Sequence, residues 1–450
     1  MKIAIVGAGI SGLGAALALA EDHDVRLFEA ETRVGGHACT VEVAYPDGRQ
    51  PVDIGFIVFN ERNYPNLCAL FDHLDVPSIW SDMSFGFSLN GGAHEYACDS
   101  LDKLFAQRWR ALDPRHIAGL REIRRFQKTA PGALEAGRLN GLSLGEWLGV
   151  EGYSDWFRDR FLLPMGGAIW STSTRAMLAF PASNFVRFFV NHDLMTGLDP
   201  AQRWRTVAGG SIQYVRRVEQ GLGARIVTGR RVVAVSGGVT GDLGVGAGRA
   251  SAIRFADGAT EHFDAVVMAC HAPQALALIR AGGVPDPAQA DVLARLRTSQ
   301  NRAVLHGDAA LMPRRRKVWS SWNFLSEGAH ADARRPAQVS YWMNRLQRIR
   351  DDRLLVVSLN PTIEPDPALV HADVSWAHPL YDEAAFEAQR LMDGVQGRGG
   401  LWYAGAWLGY GFHEDGLRAG LRVAEALGAR PVWARDTGQP LVPPLTAAAE

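Results

Sequence analysis

The chain has 450 residues, 47% of them apolar and 21% charged, and a formal net charge of −1. That composition is too apolar for a disordered chain and too evenly mixed for a membrane bundle, and a charge so near zero without a long basic run argues against nucleic acid as the main partner. The length suffices for two or three lobes and a core large enough to enclose a cofactor.

Residues 1–20 carry a lysine, an apolar stretch and an Ala18-Leu19-Ala20 ending, the outline of a secretory signal, but glycines interrupt the run in a pattern with its own explanation. Lys2-Ile3-Ala4-Ile5-Val6 reads as a short strand, Gly7-Ala8-Gly9-Ile10-Ser11-Gly12 as a glycine turn, and 13–21 as a helix. In such a turn Gly7 permits the tight bend, Gly9 lets backbone approach a pyrophosphate, and Gly12 lets helix pack close to strand. A second strand over 24–28 ends at Glu29, seventeen residues past Gly12, where a carboxylate can accept both ribose hydroxyls of an adenosine. The same pattern serves NAD and FAD. Arg33 and the pair Gly35-Gly36 follow, with His37 next, and Val52-Asp53-Ile54-Gly55-Phe56 adds another acid and glycine beside an apolar strand.

The cysteines Cys39, Cys68, Cys98 and Cys270 form no C-x-x-C pair, so neither a disulfide framework nor a structural zinc site is expected, no metal is assigned, and a reducing cytoplasm is the default location. No run of about 18 apolar residues suggests a membrane span. Past residue 59 the pattern turns helical, with helices expected over 66–74, 101–129 (broken at Pro114), 144–150 and 155–163. A β-rich stretch is expected from Ser211, with strands within 222–235 and over 251–255 and 265–269. The glycine-rich 237–248 reads as a hairpin loop because a β-like segment, not a helix, follows it, so no second dinucleotide domain is visible. Residues 431–450 read as a surface tail.

The run from Gly7 through Arg33-Val34-Gly35-Gly36 to Asp53-Ile54-Gly55, with Trp402-Tyr403-Ala404-Gly405 and Gly411-Phe412-His413-Glu414-Asp415-Gly416 near the C-terminus, resembles the flavin amine oxidase superfamily, which includes monoamine oxidases, protoporphyrinogen oxidase and phytoene desaturases. The resemblance implies an α/β fold: a Rossmann-like FAD-binding domain (three-layer ββα) from 1–59, 205–285 and 395–430, and a discontinuous α+β substrate domain from 60–204 and 286–394. It implies FAD contacts at Gly7, Gly9, Ser11, Gly12, Glu29 and Ala30, then at Arg33, Gly35, Gly36 and His37, and at Asp53, Gly55 and Phe56. Further contacts are expected from Val233 (or its neighbour Val232) at the adenine, and from Gly405, Ala406, Glu414, Asp415 and Gly416, where a helix over 415–427 would point its N-terminus at the flavin.

Closer still, Asn60-Glu61-Arg62-Asn63-Tyr64-Pro65, Trp319-Ser320-Ser321-Trp322-Asn323 and Tyr341-Trp342-Met343-Asn344-Arg345 resemble a bacterial subgroup of FAD-binding oxidoreductases, itself similar to the flavoprotein half of plant cyclopropane fatty-acid synthases. That resemblance implies work on acyl chains, beside an acyl-modifying synthase as partner. The strand expected at 299–306 lacks the lysine that amine oxidases place near flavin N5, and no acid follows Gly405. Phe412 is then an apolar wall, and His413 either a proton acceptor, with an ordinary pKa near 6.5, or a flavin ligand. His37 reads as a structural or flavin-phosphate residue ahead of a catalytic one.

Trp170, Trp319, Trp322, Tyr341, Trp342 and Met343 could line an apolar tunnel. The basic and apolar stretch 101–128 suits an anionic membrane surface, with solvated helix faces as the alternative. Three functions stay open: a dehydrogenase or desaturase of a hydrophobic, lipid-like substrate, a flavin-holding lipid-binding partner with little turnover, and an oxidase of a small or polycyclic amine. The expected location is the cytoplasm, with peripheral contact at the inner face of the membrane.

Overall fold

A computed structural model describes residues 1–192, 194, 203–238, 251–326 and 338–435. β1 (Lys2–Val6) is apolar along its length because both faces of its sheet are covered, the mark of a parallel α/β arrangement. It lies at the centre of a five-stranded parallel sheet in the order Ile226–Val227, β2 (Asp24–Phe28), β1, Ala265–Met268, Leu401–Tyr403. Residues from both ends of the chain thus share one sheet.

α1 (Ile10–Leu19) is buried along nearly its whole length and packs on the closing helix His413–Ala426. The two approach closely because glycines of the closing helix face α1: a Cβ on Gly420 would stand 2.3 Å from the Ser11 carbonyl oxygen, and one on Gly416 would stand 2.8 Å from Ile10 Cγ2. An antiparallel sheet of Val232–Ser236, Ser251–Phe255 and Thr260–Phe263 packs beside β2, with Phe28 set 5.0 Å from Phe255 and 6.0 Å from Phe263. Two sheets and a helical layer make the Rossmann-like arrangement.

A second core forms on a seven-stranded sheet ordered Val370–Pro379, Thr298–His306, Val356–Leu359, Gln338–Trp342, Trp322–Leu325, Phe85–Leu89, His94–Ala97. Its neighbours pair antiparallel except Trp322–Leu325 with Phe85–Leu89. Pro114–Glu135, Leu144–Val150, Leu163–Trp170 and Ala182–Asn191 contribute the buried faces of this core. Among the described residues no helix is long and apolar enough to cross a membrane.

Several elements differ from the sequence expectation. Instead of a strand after Ser211, Ile212–Leu222 is a helix that buries Tyr214, Val215, Val218 and Leu222, a helical spacing within a β-rich neighbourhood. Pro114 does not break a helix but starts one: it follows the N-cap Asp113, whose carboxylate accepts from the Arg115 amide, and a proline at the first position loses no helical bond. The helix expected over 155–163 passes through a π-helical turn, Arg158–Leu162, and continues to Trp170. The closing helix begins at His413, two residues before the expected start. Val232–Ser236 and Ser251–Phe255 pair antiparallel, as a hairpin would, though most of the loop over 237–248 lies outside the described residues. The last described residues fold back on α2 (Pro65–His73): Trp433 stacks on His73 at 5.9 Å, and the Arg435 amide donates to Asn66 Oδ1. The remainder of the expected tail, 436–450, lies outside the described residues.

Candidate cofactor and substrate site

The carboxyl ends of the parallel strands reach one cavity of about 750 Å³: Gly7 follows β1, Glu29 follows β2, Ala269 to His271 follow Ala265–Met268, and Gly405 follows the last strand. Ligands of open parallel sheets bind at this end. Gly7 has a φ of +105°, and a Cβ there would press on the Ala269 carbonyl at 2.8 Å. One on Gly12 would meet the Gly7 oxygen at 1.9 Å, whereas Gly9 faces open space, so the loop is tight on the protein side and bare on the cavity side. The Gly35 amide donates to Ala8 O at 2.8 Å and braces this loop, with Gly36 beside Gly9.

Glu29 lines the cavity with Ala30 and Ser11. Its carboxylate already accepts two backbone bonds, from Ala8 N at 2.8 Å and Glu31 N at 3.0 Å, which fix its orientation. Arg230, Arg231 and Val232 line the cavity beside it; Val233, the residue assigned to the adenine, does not. Val232, the neighbour also offered for the adenine, is the one whose side of the strand lines the cavity, as strand alternation allows for only one of the two.

Four other assigned residues have their polar groups committed elsewhere. Arg33 stays outside the cavity, donating to Gly36 O at 2.8 Å with its guanidinium over Trp376 at 5.7 Å. Asp53 is 1% exposed and accepts from Thr40 Oγ1, from Ser211 N and Oγ, and from Gln347 Nε2 at 2.9 Å. Burial pushes its carboxyl up to about 6 against the pull of those donors. It therefore positions the following turn, in which Gly55 and Phe56 reach the cavity and the Phe56 amide donates to His37 O at 2.8 Å. Glu414 accepts from Asn66 N, Asn66 Nδ2 and Leu67 N at the start of α2. Asp415 accepts from the Tyr410 and Phe412 amides, and Gly416 serves the α1 contact described above.

At the middle of the cavity stand Gly405, Ala406, Phe412 and His413. The His413 ring stacks on Phe56 at 3.8 Å between centroids, and its Nε2 is 3.0 Å from the Tyr214 hydroxyl. Burial pushes its pKa down to about 3, so the ordinary imidazole value assumed from sequence does not hold, and the ring is neutral at neutral pH. His37 lies 4.8 Å from Trp376, 5.4 Å from His378 and 5.8 Å from His271. Burial, then the neighbouring His378 and His271, hold it well below the usual imidazole range. His37 Nε2 and His378 Nδ1 are buried and without a bond among the described residues. Trp376, His378 and His271 were missed by sequence reasoning. Trp376 and His378 are two apart on one strand, so alternation along 370–379 was the available signal.

Beside Phe412 an apolar part of the same cavity forms a chamber, with Phe188 at 5.2 Å and His192 at 5.7 Å from the Phe412 ring. Trp170, Trp322 and Tyr341 line it as expected, with Met165, Phe188 and His192 added. Trp319 and Trp342 pack against each other in a separate cluster, and Met343 is core. Ala303 faces the chamber from the strand Thr298–His306, which holds no lysine. Among the described residues, the charged ones that line the cavity are Glu29, Glu31, Arg230 and Arg231, all at the β2 end, so the described wall of the chamber is neutral.

These residues fit FAD. A strand-turn-helix cradle that a single Cβ would fill, a fixed carboxylate at the end of β2, and unbonded imidazoles midway match a long, polar-headed, aromatic ligand. The sequence model of the flavin-containing amine oxidoreductases matches residues 10–305. A search of curated proteins returns no match. Among solved structures, putrescine oxidase bound to putrescine superposes with a TM-score of 0.65 at 16% identity, over 95% of this chain and 98% of that one. Cyclohexylamine oxidase from Brevibacterium oxydans IH-35A gives 0.64 at 16% over 95% and 98%, and a CLA-producing fatty acid isomerase from P. acnes gives 0.61 at 15% over 95% and 99%.

Proposed function

The chain belongs to the flavin-containing amine oxidoreductases, and from that premise we propose that it is an FAD-dependent dehydrogenase or desaturase of a hydrophobic, lipid-like substrate. The observation that carries this reading is that no charged side chain among the described residues lines the chamber beside Phe412. A protonated amine or other ion placed there loses its hydration without gaining a countercharge, at a cost of several kcal/mol, whereas an acyl chain gains about 0.8 kcal/mol for each methylene buried. The absent lysine on 298–306 points the same way.

Bound FAD supplies the hydride acceptor. The protein's share is binding, orientation and exclusion of water. In this reading Glu29 takes the ribose, the Gly7 to Gly12 turn takes the diphosphate, and the imidazoles at 37, 271 and 378 supply neutral bonding groups along the cofactor. Phe412 and Phe188, stacked at 5.2 Å, form an apolar wall.

His192, not His413, offers a base to the chamber. Its Nδ1 is 3.0 Å from Phe188 O and a carbonyl only accepts, so Nδ1 carries the proton and Nε2 the lone pair. Burial brings its pKa down to about 4, so the ring is neutral at neutral pH with its Nε2 lone pair free, though a weaker acceptor than an ordinary imidazole. The ring lies 5.7 Å from Phe412.

Anaerobic bleaching of the flavin absorbance, with a free fatty acid, an acyl phospholipid, putrescine and cyclohexylamine compared side by side, tests the proposal. Reduction by an acyl compound alone is expected. Reduction by the amines alone replaces it with an amine oxidase, and a flavin that stays oxidised with all four replaces it with a flavin-holding lipid partner.

A further inference from the structure

Trp80 and Trp109 are the exposed aromatic side chains among the described residues, at 41% and 56%. Both lie under guanidinium groups: Arg205 and Arg203 stand 4.4 and 5.6 Å from the Trp80 ring, and Arg110 stands 3.8 Å from Trp109. Leu101 at 65% and Leu112 at 89% flank Trp109 in sequence.

The two rings belong to one surface, joined by side chains in contact. Asp82, two residues past Trp80, binds Arg345 at 2.9 Å; Arg345 reaches Asp99 at 3.9 Å; and Asp99 binds Lys103, next to Asp102. Asp102 in turn holds Arg108 and Lys317. Each acid on this strip is matched by a cation, Asp113 by Arg110 and Glu61 by Arg205 included, while Arg203 and Arg316 lie over the rings of Trp80 and Trp319. The strip therefore offers apolar tips and aromatic rings within a positive rim.

It also borders the chamber. Trp80 pairs with Arg205 and Ser81 with Trp204 in adjacent antiparallel strands. Alternation puts Trp204 on the cavity side, where it is part of the wall, and Arg205 with Trp80 on the outside. The outer wall of the chamber and the inner edge of the strip are thus the same two strands.

We propose that the strip from Trp80 to Leu112 docks this protein on an anionic lipid bilayer, so that an acyl substrate passes from the bilayer toward the chamber. Exposed tryptophan, leucine and basic residues together are the composition of an interfacial anchor. Of the stretch 101–128 expected from sequence, the strip keeps the part up to Leu112 and not the following helix, where Ile123 and Phe126 turn into the core and Arg125 lies over the Tyr153 ring at 4.0 Å. The docking rests on the lipid reading above, but its test needs no turnover.

The FAD-loaded protein is sedimented with phosphatidylglycerol/phosphatidylcholine vesicles and with phosphatidylcholine vesicles, at low and high salt. Binding to the anionic vesicles that weakens with salt is expected. Neutralising both Arg108 and Lys317 (R108S/K317S) should lower the partition about 25-fold, at about fivefold for each lost cation near the surface. Trp80→Ala with Trp109→Ala should lower it further, with flavin absorbance unchanged. No binding of the unmodified protein at low salt overturns the docking, as does binding that survives both sets of changes or that is equal on the uncharged vesicles. Flavin reduction by acyl compounds without vesicle binding would sink the docking alone, and vesicle binding without acyl reduction would sink the substrate reading alone.

Discussion

The imidazole of His413 lies flat on the ring of Phe56, 13° from parallel, with its Nε2 on the Tyr214 hydroxyl. This contact ties the closing helix to the turn after the strand Gly48–Asp53 and leaves His413 without the solvent a titrating base needs. His413→Ala should therefore weaken FAD binding and lower stability more than it alters the pH profile of flavin reduction. Rapid-mixing reduction between pH 6 and 9 checks this: a lost ionisation near 6.5 in the variant would restore His413 as the base.

His192→Ala is the complementary change. If Nε2 accepts the substrate proton, flavin reduction by an acyl substrate should slow by about a hundredfold or more. FAD affinity should stay within twofold. An unchanged reduction rate would leave His192 as packing against Phe188.

Glu29 is held by two backbone amides before any ligand arrives, and a preset carboxylate forms charge-assisted bonds to a ribose with little ordering cost. Glu29→Ala should cost roughly 1.5 to 3 kcal/mol of FAD affinity, about 10- to 150-fold in Kd. Fluorescence titration of the apoprotein with FAD measures it.

Acid should destabilise the protein. His413 and His94 sit near 3, and His192, His306 and His378 near 4, each lowered first by burial. The unfolded chain takes up these protons near pH 6.5 while the native state refuses them until about 3 to 4, so stability is lost as pH falls through that window. Each such imidazole contributes up to about 2 kcal/mol of loss by pH 5. Asp53, raised to about 6, works in the opposite direction between about 6 and 4 and offsets part of it. Thermal unfolding at pH 7.5, 6.5 and 5.5 should show falling midpoints, with a shallower fall in His378→Phe.

What the sequence made legible was local. The strand, the glycine turn, α1 and Glu29 are consecutive, and each residue's role follows from backbone geometry that neighbours impose. The C-terminal motif was legible as a motif, yet the partners of its acids were not. Glu414 meets Asn66 and Asp53 meets Gln347 across hundreds of residues, and no local period encodes such pairings. The same holds for the imidazoles around His37: His271 follows the strand Ala265–Met268 and His378 stands near the end of Val370–Pro379. A helix over 212–222 was hidden for a different reason: it stands at the start of a β-rich stretch, and its helical face shows only in the burial of Tyr214, Val215, Val218 and Leu222.

Glu414 shows the difference between a motif residue and a ligand. Its carboxylate takes three N–H groups at the start of α2 and is 5% exposed, so it caps one helix from the first turn of another. A carboxylate there also faces the positive end of the α2 dipole. Glu414→Ala should strand those donors in the interior and cost roughly 3 to 5 kcal/mol, while Glu414→Gln, which keeps one acceptor, should cost less. Urea unfolding of the apoprotein measures the loss without cofactor present. A large stability loss with FAD affinity changed only in proportion to the folded fraction supports the helix-capping role, and an intact apoprotein that has lost FAD affinity would return Glu414 to the cofactor.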